Sequence, residues 1–205
     1  MSNSVQTSLM GSWFQSQHVP ATKRNQTKRR YVVKSIELRR HTDSDGDVLS
    51  REGVEAALEI GATLDGNYEV TVSSGAQRAT QTLACFLTML GEPVPRGAIV
   101  DPRFRSNHED RWKRAYKAGG DGDIASFVAA DPGLVREEAA LLAGALEELF
   151  AALRSSERAL VVGHSPMQEV AVYGLTGEVV EPLAKGAGIE VTQDDEGGYT
   201  VRELG

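Results

Sequence analysis

The chain has 205 residues, 40% hydrophobic and 25% charged, which is enough to fill one ordinary globular core. Its net charge of −7 argues against a general nucleic-acid binder, which needs a basic face, but leaves room for a local arginine cluster that holds a phosphate. A single cysteine, Cys85, excludes an intrachain disulfide and a cysteine-rich zinc site, and no apolar run approaches the ~18 residues of a membrane helix.

Residues 1–30 contain Lys23, Arg24, Lys28, Arg29 and Arg30 and no acid, for a charge of +5, whereas the remainder carries −12. This segment is rich in Ser, Gln, Asn and Thr and has no sustained periodicity, so it reads as a disordered basic leader. Its composition also fits a targeting peptide, although it lacks an apolar helical face, and Met10 offers another start. The folded domain is expected over 31–205, in the cytoplasm, with His18 outside it.

A first strand is read over 32–39. Ser50 suits an N-cap for a helix over 51–64, with Val54, Ala57, Leu58 and Ala62 along one face. A second β-rich run covers 68–73, and a helix over 76–90 stops at Gly91. A weak strand near 97–101 leads into a polar stretch with a short helix around 110–117. The clearest helix spans 133–154, where Leu142, Leu146, Leu149 and Leu153 recur at spacings of four, three and four. A strand over 158–163 and a helix near 166–175 follow, the latter closing at Gly177. Two final β-like runs, 188–193 and 199–203, flank Asp194-Asp195-Glu196-Gly197-Gly198 and predict a hairpin. Strands alternating with helices predict a three-layer α/β/α sandwich with a mostly parallel sheet and a C-terminal β-hairpin.

The chemistry-bearing residues fall where these strands end. Arg40-His41-Thr42 closes the first, Ser73-Ser74 closes the second ahead of Arg78, and Gly163-His164-Ser165-Pro166 closes the fourth. Active sites in such sheets lie beyond the carboxyl ends of the strands. Two arginines offer planar paired donors suited to phosphoryl oxygens and keep their charge at neutral pH. The same cations favour neutral imidazole, which retains the lone pair a nucleophile needs. One charge pair at about 4 Å and an effective dielectric near 20 contributes on the order of 4 kcal/mol, so offsetting phosphate desolvation takes several donors. The helix starting near Gly75 adds amide donors and a positive dipole end.

Leu38-Arg39-Arg40-His41-Thr42, Leu49-Ser50-Arg51-Glu52-Gly53, Ser73 to Thr82 and Val161-Val162-Gly163-His164-Ser165-Pro166, in that order, resemble the histidine phosphatase superfamily, also called phosphoglycerate mutase-like. The resemblance spans most of residues 32–177 and leans towards the small bacterial phosphatases. It implies that His41 becomes phosphorylated, that Arg40 and Arg78 bind the phosphoryl oxygens, and that His164 completes the pocket. It implies neither a metal nor an organic cofactor. The partner would be a phosphorylated small molecule or a phosphohistidine protein, with no nucleic acid and no membrane.

Two departures are visible. Thr42 stands where the family usually places glycine, so it narrows the pocket or offers the substrate a hydroxyl, as Ser165 could. The glutamate that many members carry after the third strand is missing from Arg103-Phe104-Arg105-Ser106, which leaves Glu109 in the next loop as the candidate general acid. Without an acid, phosphoramidates are easier substrates than alkyl phosphates, because their leaving nitrogen can be protonated beforehand. Arg105 is either a rim contact or a solvated loop residue, and His108 reads as structural. Asp43-Ser44-Asp45-Gly46-Asp47 is not a calcium loop, because its glycine is fourth and Val54 stands where the closing glutamate belongs. A phosphoglycerate mutase-like transferase and a non-catalytic phospho-ligand module remain as alternatives.

Overall fold

The computed structural model describes residues 33–204, so the expected leader over 1–30, with Met10 and His18, lies outside the described residues. Strand β1 (Lys34–Arg40) alternates Ile36 and Leu38 with Glu37 and Arg39, and that alternation sends apolar and charged side chains to opposite sheet faces. A short hairpin, β2 (Ser44–Asp45) and β3 (Val48–Leu49), leads to helix α1 (Arg51–Thr63). Then come β4 (Tyr68–Ser73), α2 (Gln77–Leu90), β5 (Ala98–Val100) and a 3₁₀ turn at Pro102–Phe104. Helices α3 (Glu109–Gly119), α4 (Ile124–Ala130) and α5 (Pro132–Ala152) precede β6 (Arg158–Gly163) and α6 (Met167–Thr176). The chain closes with the antiparallel pair β7 (Gly188–Gln193) and β8 (Tyr199–Leu204).

The sheet order is β5-β4-β6-β1-β7-β8, with the first four strands parallel and the last two antiparallel. Ile36, Leu38, Val72, Val161 and Ile189 face α3 to α6, while Leu160 and Val162 face α1 and α2, which makes the three layers the alternation predicts. Tyr68 joins the α1–α2 side because the register slips between Tyr68 and Val70. On that side of β1 the buried Glu37 is fully engaged: it accepts from the Tyr68 hydroxyl (2.5 Å) and pairs with Arg39 (2.8 Å) and Arg158 (3.3 Å).

Ser50 caps α1 as its sequence position implies, its hydroxyl accepting from the Gly53 N–H at 3.0 Å. The buried face of α1 matches the expected one only at Ala57, however. Val54 is exposed, and Gly53, Ala57 and Gly61 point inward. The reason is close approach: a Cβ on Gly61 would lie 2.9 Å from the Phe86 Cα on α2, and one on Gly53 would lie 1.9 Å from the Asp43 carbonyl. A stripe of small residues carries almost no hydrophobic signal, so apolar periodicity misplaces the face by one position. Helix α4 was also not anticipated; at seven residues it is too short for a periodic pattern, and it is defined instead by Asp123, which accepts from Ser126 N–H at 2.6 Å. Among the described residues, no helix is long and apolar enough to cross a membrane.

Gly53→Ala sets a helix-propensity gain of at most about 1 kcal/mol against a backbone clash. The clash wins, and overpacking of this kind costs about 1–3 kcal/mol. Urea unfolding of the variant should show a lower midpoint with an unchanged slope.

Candidate active site

Backbone hydrogen bonds lock the three strand ends together before any side chain is considered. His41 N–H donates to the Gly163 carbonyl at 3.0 Å, and Ser74 N–H donates to the Val162 carbonyl at 3.1 Å. These contacts extend the β1–β6 and β4–β6 ladders one step past the sheet. His41, Ser74 and His164 therefore leave adjacent strands at one level, and all three are buried.

The Arg78 guanidinium, from the first turn of α2, sits between the two imidazoles. Its Nε donates to His41 Nε2 at 3.0 Å, its Nη2 lies 3.3 Å from His164 Nδ1, and its Nη1 pairs with Asp47 at 2.8 Å. Because a guanidinium only donates, both contacted ring nitrogens carry lone pairs. The remaining nitrogens then bear the protons: His41 Nδ1 donates to the Thr42 carbonyl at 2.7 Å, and His164 Nε2 donates to the Ser74 hydroxyl at 2.8 Å. The rings stand 5.2 Å apart at 65°.

Both imidazoles are held neutral. Burial is the main cause for His41, opposed by the Thr42 carbonyl and aided by Arg78, Arg40 and Lys185, and it brings the pKa down to about 4. For His164, burial with Arg78, His41 and Arg105 brings it to about 3. At neutral pH the site thus presents a lone pair on His41 Nε2 beside a fixed positive charge, in surroundings where that charge is weakly screened.

The other expected residues are distributed around this core. Arg40 is close enough for its charge to act on His41, yet its Nη1 donates to the Leu183 carbonyl at 2.5 Å and its buried Nε has no hydrogen-bond partner among the described residues. Ser165, Glu109 and Arg105 line a hollow of about 160 Å³ with Arg78 and His164. Glu109 is a rim group, with its side chain 51% exposed and paired with Arg105 at 3.1 Å and Lys113 at 3.8 Å. Thr42 does not offer its hydroxyl to the hollow. It is 1% exposed and donates to the Gly53 carbonyl at 2.7 Å, because α1 lies directly against it. The Ser165 hydroxyl likewise donates to Glu169, at 2.5 Å.

Four further residues shape the site. Ser74 fixes the His164 tautomer. Asp47, from the β2–β3 turn, holds Arg78 and also accepts from Gln77 N–H at 3.3 Å, at the start of α2. Glu169 is 2% exposed, is pushed up in pKa by burial, and accepts from Leu183 N–H at 2.8 Å, so it tethers the residue whose carbonyl receives Arg40. Lys185 pairs with Asp43 and adds its charge near His41. Among the described residues, no group of three or more His, Cys, Asp or Glu side chains is arranged to hold a metal ion.

No protein-family model and no curated protein matches the sequence. Solved structures do match. A phosphoglycerate mutase from Bacillus anthracis str. Sterne has a TM-score of 0.65 at 18% identity, over 85% of this chain and 93% of that one. The chain has the phosphoglycerate mutase-like fold. A phosphoserine phosphatase from Entamoeba histolytica in complex with 3-phosphoglyceric acid shares this fold with a TM-score of 0.62 at 14% identity, over 84% of this chain and 97% of that one. The protein histidine phosphatase SixA complexed with tungstate shares it with a TM-score of 0.52 at 22% identity, over 83% and 96% of the two chains. In this phosphoglycerate mutase-like chain, Arg40-His41, Ser73-Ser74 and Gly163-His164 occupy the carboxyl edge of the parallel strands.

The depressed histidines carry a sign. As pH falls from 6.5 towards 4, the unfolded chain takes up protons that folded His41 and His164 refuse, so stability drops through that window. Histidine NMR titration should find both rings neutral at pH values where a free histidine is charged, and Arg78→Ala should raise both midpoints.

Proposed function

We propose that the chain is a phosphatase that works through a phosphohistidine intermediate on His41. The observation that carries this reading is the Arg78 guanidinium shared between two neutral imidazoles at neighbouring strand ends. His41 Nε2 attacks phosphorus, forming a P–N bond as the bond to the leaving group breaks and its electron pair departs with that group. Water then attacks the phosphohistidine, and the bond electrons return to Nε2 as inorganic phosphate leaves. Hydrogen bonding of Nδ1–H to the Thr42 carbonyl keeps the attacking nitrogen unprotonated and aimed, and it also stabilises the positive charge the ring acquires. Arg78 must swing from Nε2 onto the phosphoryl oxygens, where it and Arg105 neutralise the developing charge, with Arg40 adding its field.

The leaving group narrows the substrate. Asp47 is paired with Arg78, Asp43 with Lys185, and Glu109 with Arg105 and Lys113 at the rim, so the oxygens of these three carboxylates are already committed to cations. This supports carriers that depart without strong protonation, namely phosphoramidates such as phosphohistidine, and aryl phosphates, ahead of alkyl phosphates. A protein phosphohistidine is one such carrier, and a structural neighbour is a protein histidine phosphatase.

Three results test this reading. His41→Ala should lose more than about a thousandfold in kcat and yield no acid-labile phosphoenzyme after a brief pulse of labelled substrate. Arg78→Ala should lose about 10²–10³-fold. Aryl phosphate and phosphoimidazole should turn over much faster than glycerol phosphate, with chelator present throughout. Full activity in His41→Ala would sink the mechanism.

A further inference from the structure

The hollow that contains Arg78 and His164 continues into a second one of about 280 Å³, lined by Trp112, Lys113, Tyr116, Lys117, Phe127 and Pro166. Trp112, Lys113 and Pro166 belong to both, so the two spaces are contiguous. The second is built as an apolar trough. Trp112 and Phe127 are buried and meet edge to face at 4.9 Å, and the one polar atom of Trp112, Nε1, is spent on the Ser106 hydroxyl at 3.1 Å. Tyr116 forms a wall although it is 54% exposed. It is seated against Gly122, where a Cβ would come within 3.0 Å of the ring.

The charges along the trough are one-sided. Lys113 is matched by Glu109 and Asp110 at 3.8 and 3.7 Å. Lys117 stands one turn further along α3, about 6 Å from Lys113 at 1.5 Å per residue. It lines the trough but not the hollow at His164, and it has no carboxylate partner among the described residues. An exposed aromatic wall beside a reactive centre marks a ligand surface, and an unmatched cation at its outer end marks the ligand's charge.

Resting on the phosphatase reading above, we propose that this trough holds the body of the phosphoryl carrier: a flat apolar ring bearing an anionic substituent that reaches Lys117. The phosphoryl group would lie between His41 and Arg78, the ring between Tyr116 and Trp112, and the anion beyond them. The trough thereby selects ring-bearing carriers over polyhydroxylated ones such as sugar phosphates, whose hydroxyls would lose their water against hydrocarbon walls.

The test compares acetyl phosphate, phenyl phosphate and 4-carboxyphenyl phosphate on the full chain, on Tyr116→Ala and on Lys117→Gln, both substitutions being at exposed positions. The unaltered chain should favour 4-carboxyphenyl over phenyl phosphate in kcat/KM, and Lys117→Gln should shrink that ratio about two- to fivefold. Tyr116→Ala should lower the phenyl to acetyl ratio about fivefold, through KM rather than kcat. Turnover of the probes with the same ratios in all three proteins overturns the trough alone. No turnover of any probe overturns the trough together with the phosphatase reading.

Discussion

One guanidinium donating to two imidazoles is the constraint from which the rest of the site follows. Arg78 can serve His41 Nε2 and His164 Nδ1 together only if both rings stay neutral with their protons on the far side. The fold meets that demand by burying both rings and by giving each outer N–H an acceptor, the Thr42 carbonyl for one and the Ser74 hydroxyl for the other. A charged imidazole here would face a cation in poorly screened surroundings, and the pair would separate.

Much of the surrounding structure positions those groups rather than touching a ligand. Thr42 is tied to α1 through the Gly53 carbonyl, and its N–H lies 3.3 Å from the Thr82 hydroxyl on α2, so the backbone beside His41 is pinned between two helices. The absence of side chains at Gly53 and Gly61 is what brings α1 close enough to do this. On the opposite flank, Glu169 and Arg40 hold the N–H and the carbonyl of one residue, Leu183, which links the strand-end arginine to a buried carboxylate on α6. Together these contacts surround Arg78, which stands at the centre shared among His41, His164 and Asp47.

The adjoining hollows follow a different logic. The hollow beside Arg78 is lined by Arg105, Lys113 and the His164 imidazole, whereas the α3–α4 segment adds hydrocarbon walls and Lys117. That segment hangs outside the sheet, packed through Trp112, Ile124 and Phe127 onto the α5 side of the core. The charged hollow and the apolar trough share Trp112, Lys113 and Pro166, so α3 contributes to both.

The elements with strong local signals were legible from the residues alone. The leucine repeat of α5, the Ser50 cap of α1, the glycine stops after α2 and α6, and the terminal hairpin all stand where periodicity and turn chemistry put them. The convergence of Arg40-His41, Arg78 and His164 at the strand ends was legible too, because alternating strands and helices dictate a parallel sheet whose carboxyl edge gathers such residues. Tertiary structure decided what contacts each side chain keeps. It turned Thr42 towards Gly53, gave Ser165 to Glu169, set Glu109 among cations at the rim, and brought Asp47 and Ser74 into the site. Local sequence sets φ, ψ and the face a residue occupies, but a hydroxyl or carboxylate chooses between a near neighbour, as Ser165 takes Glu169, and a distant one, as Ser74 takes His164. That choice exists only once the layers have packed.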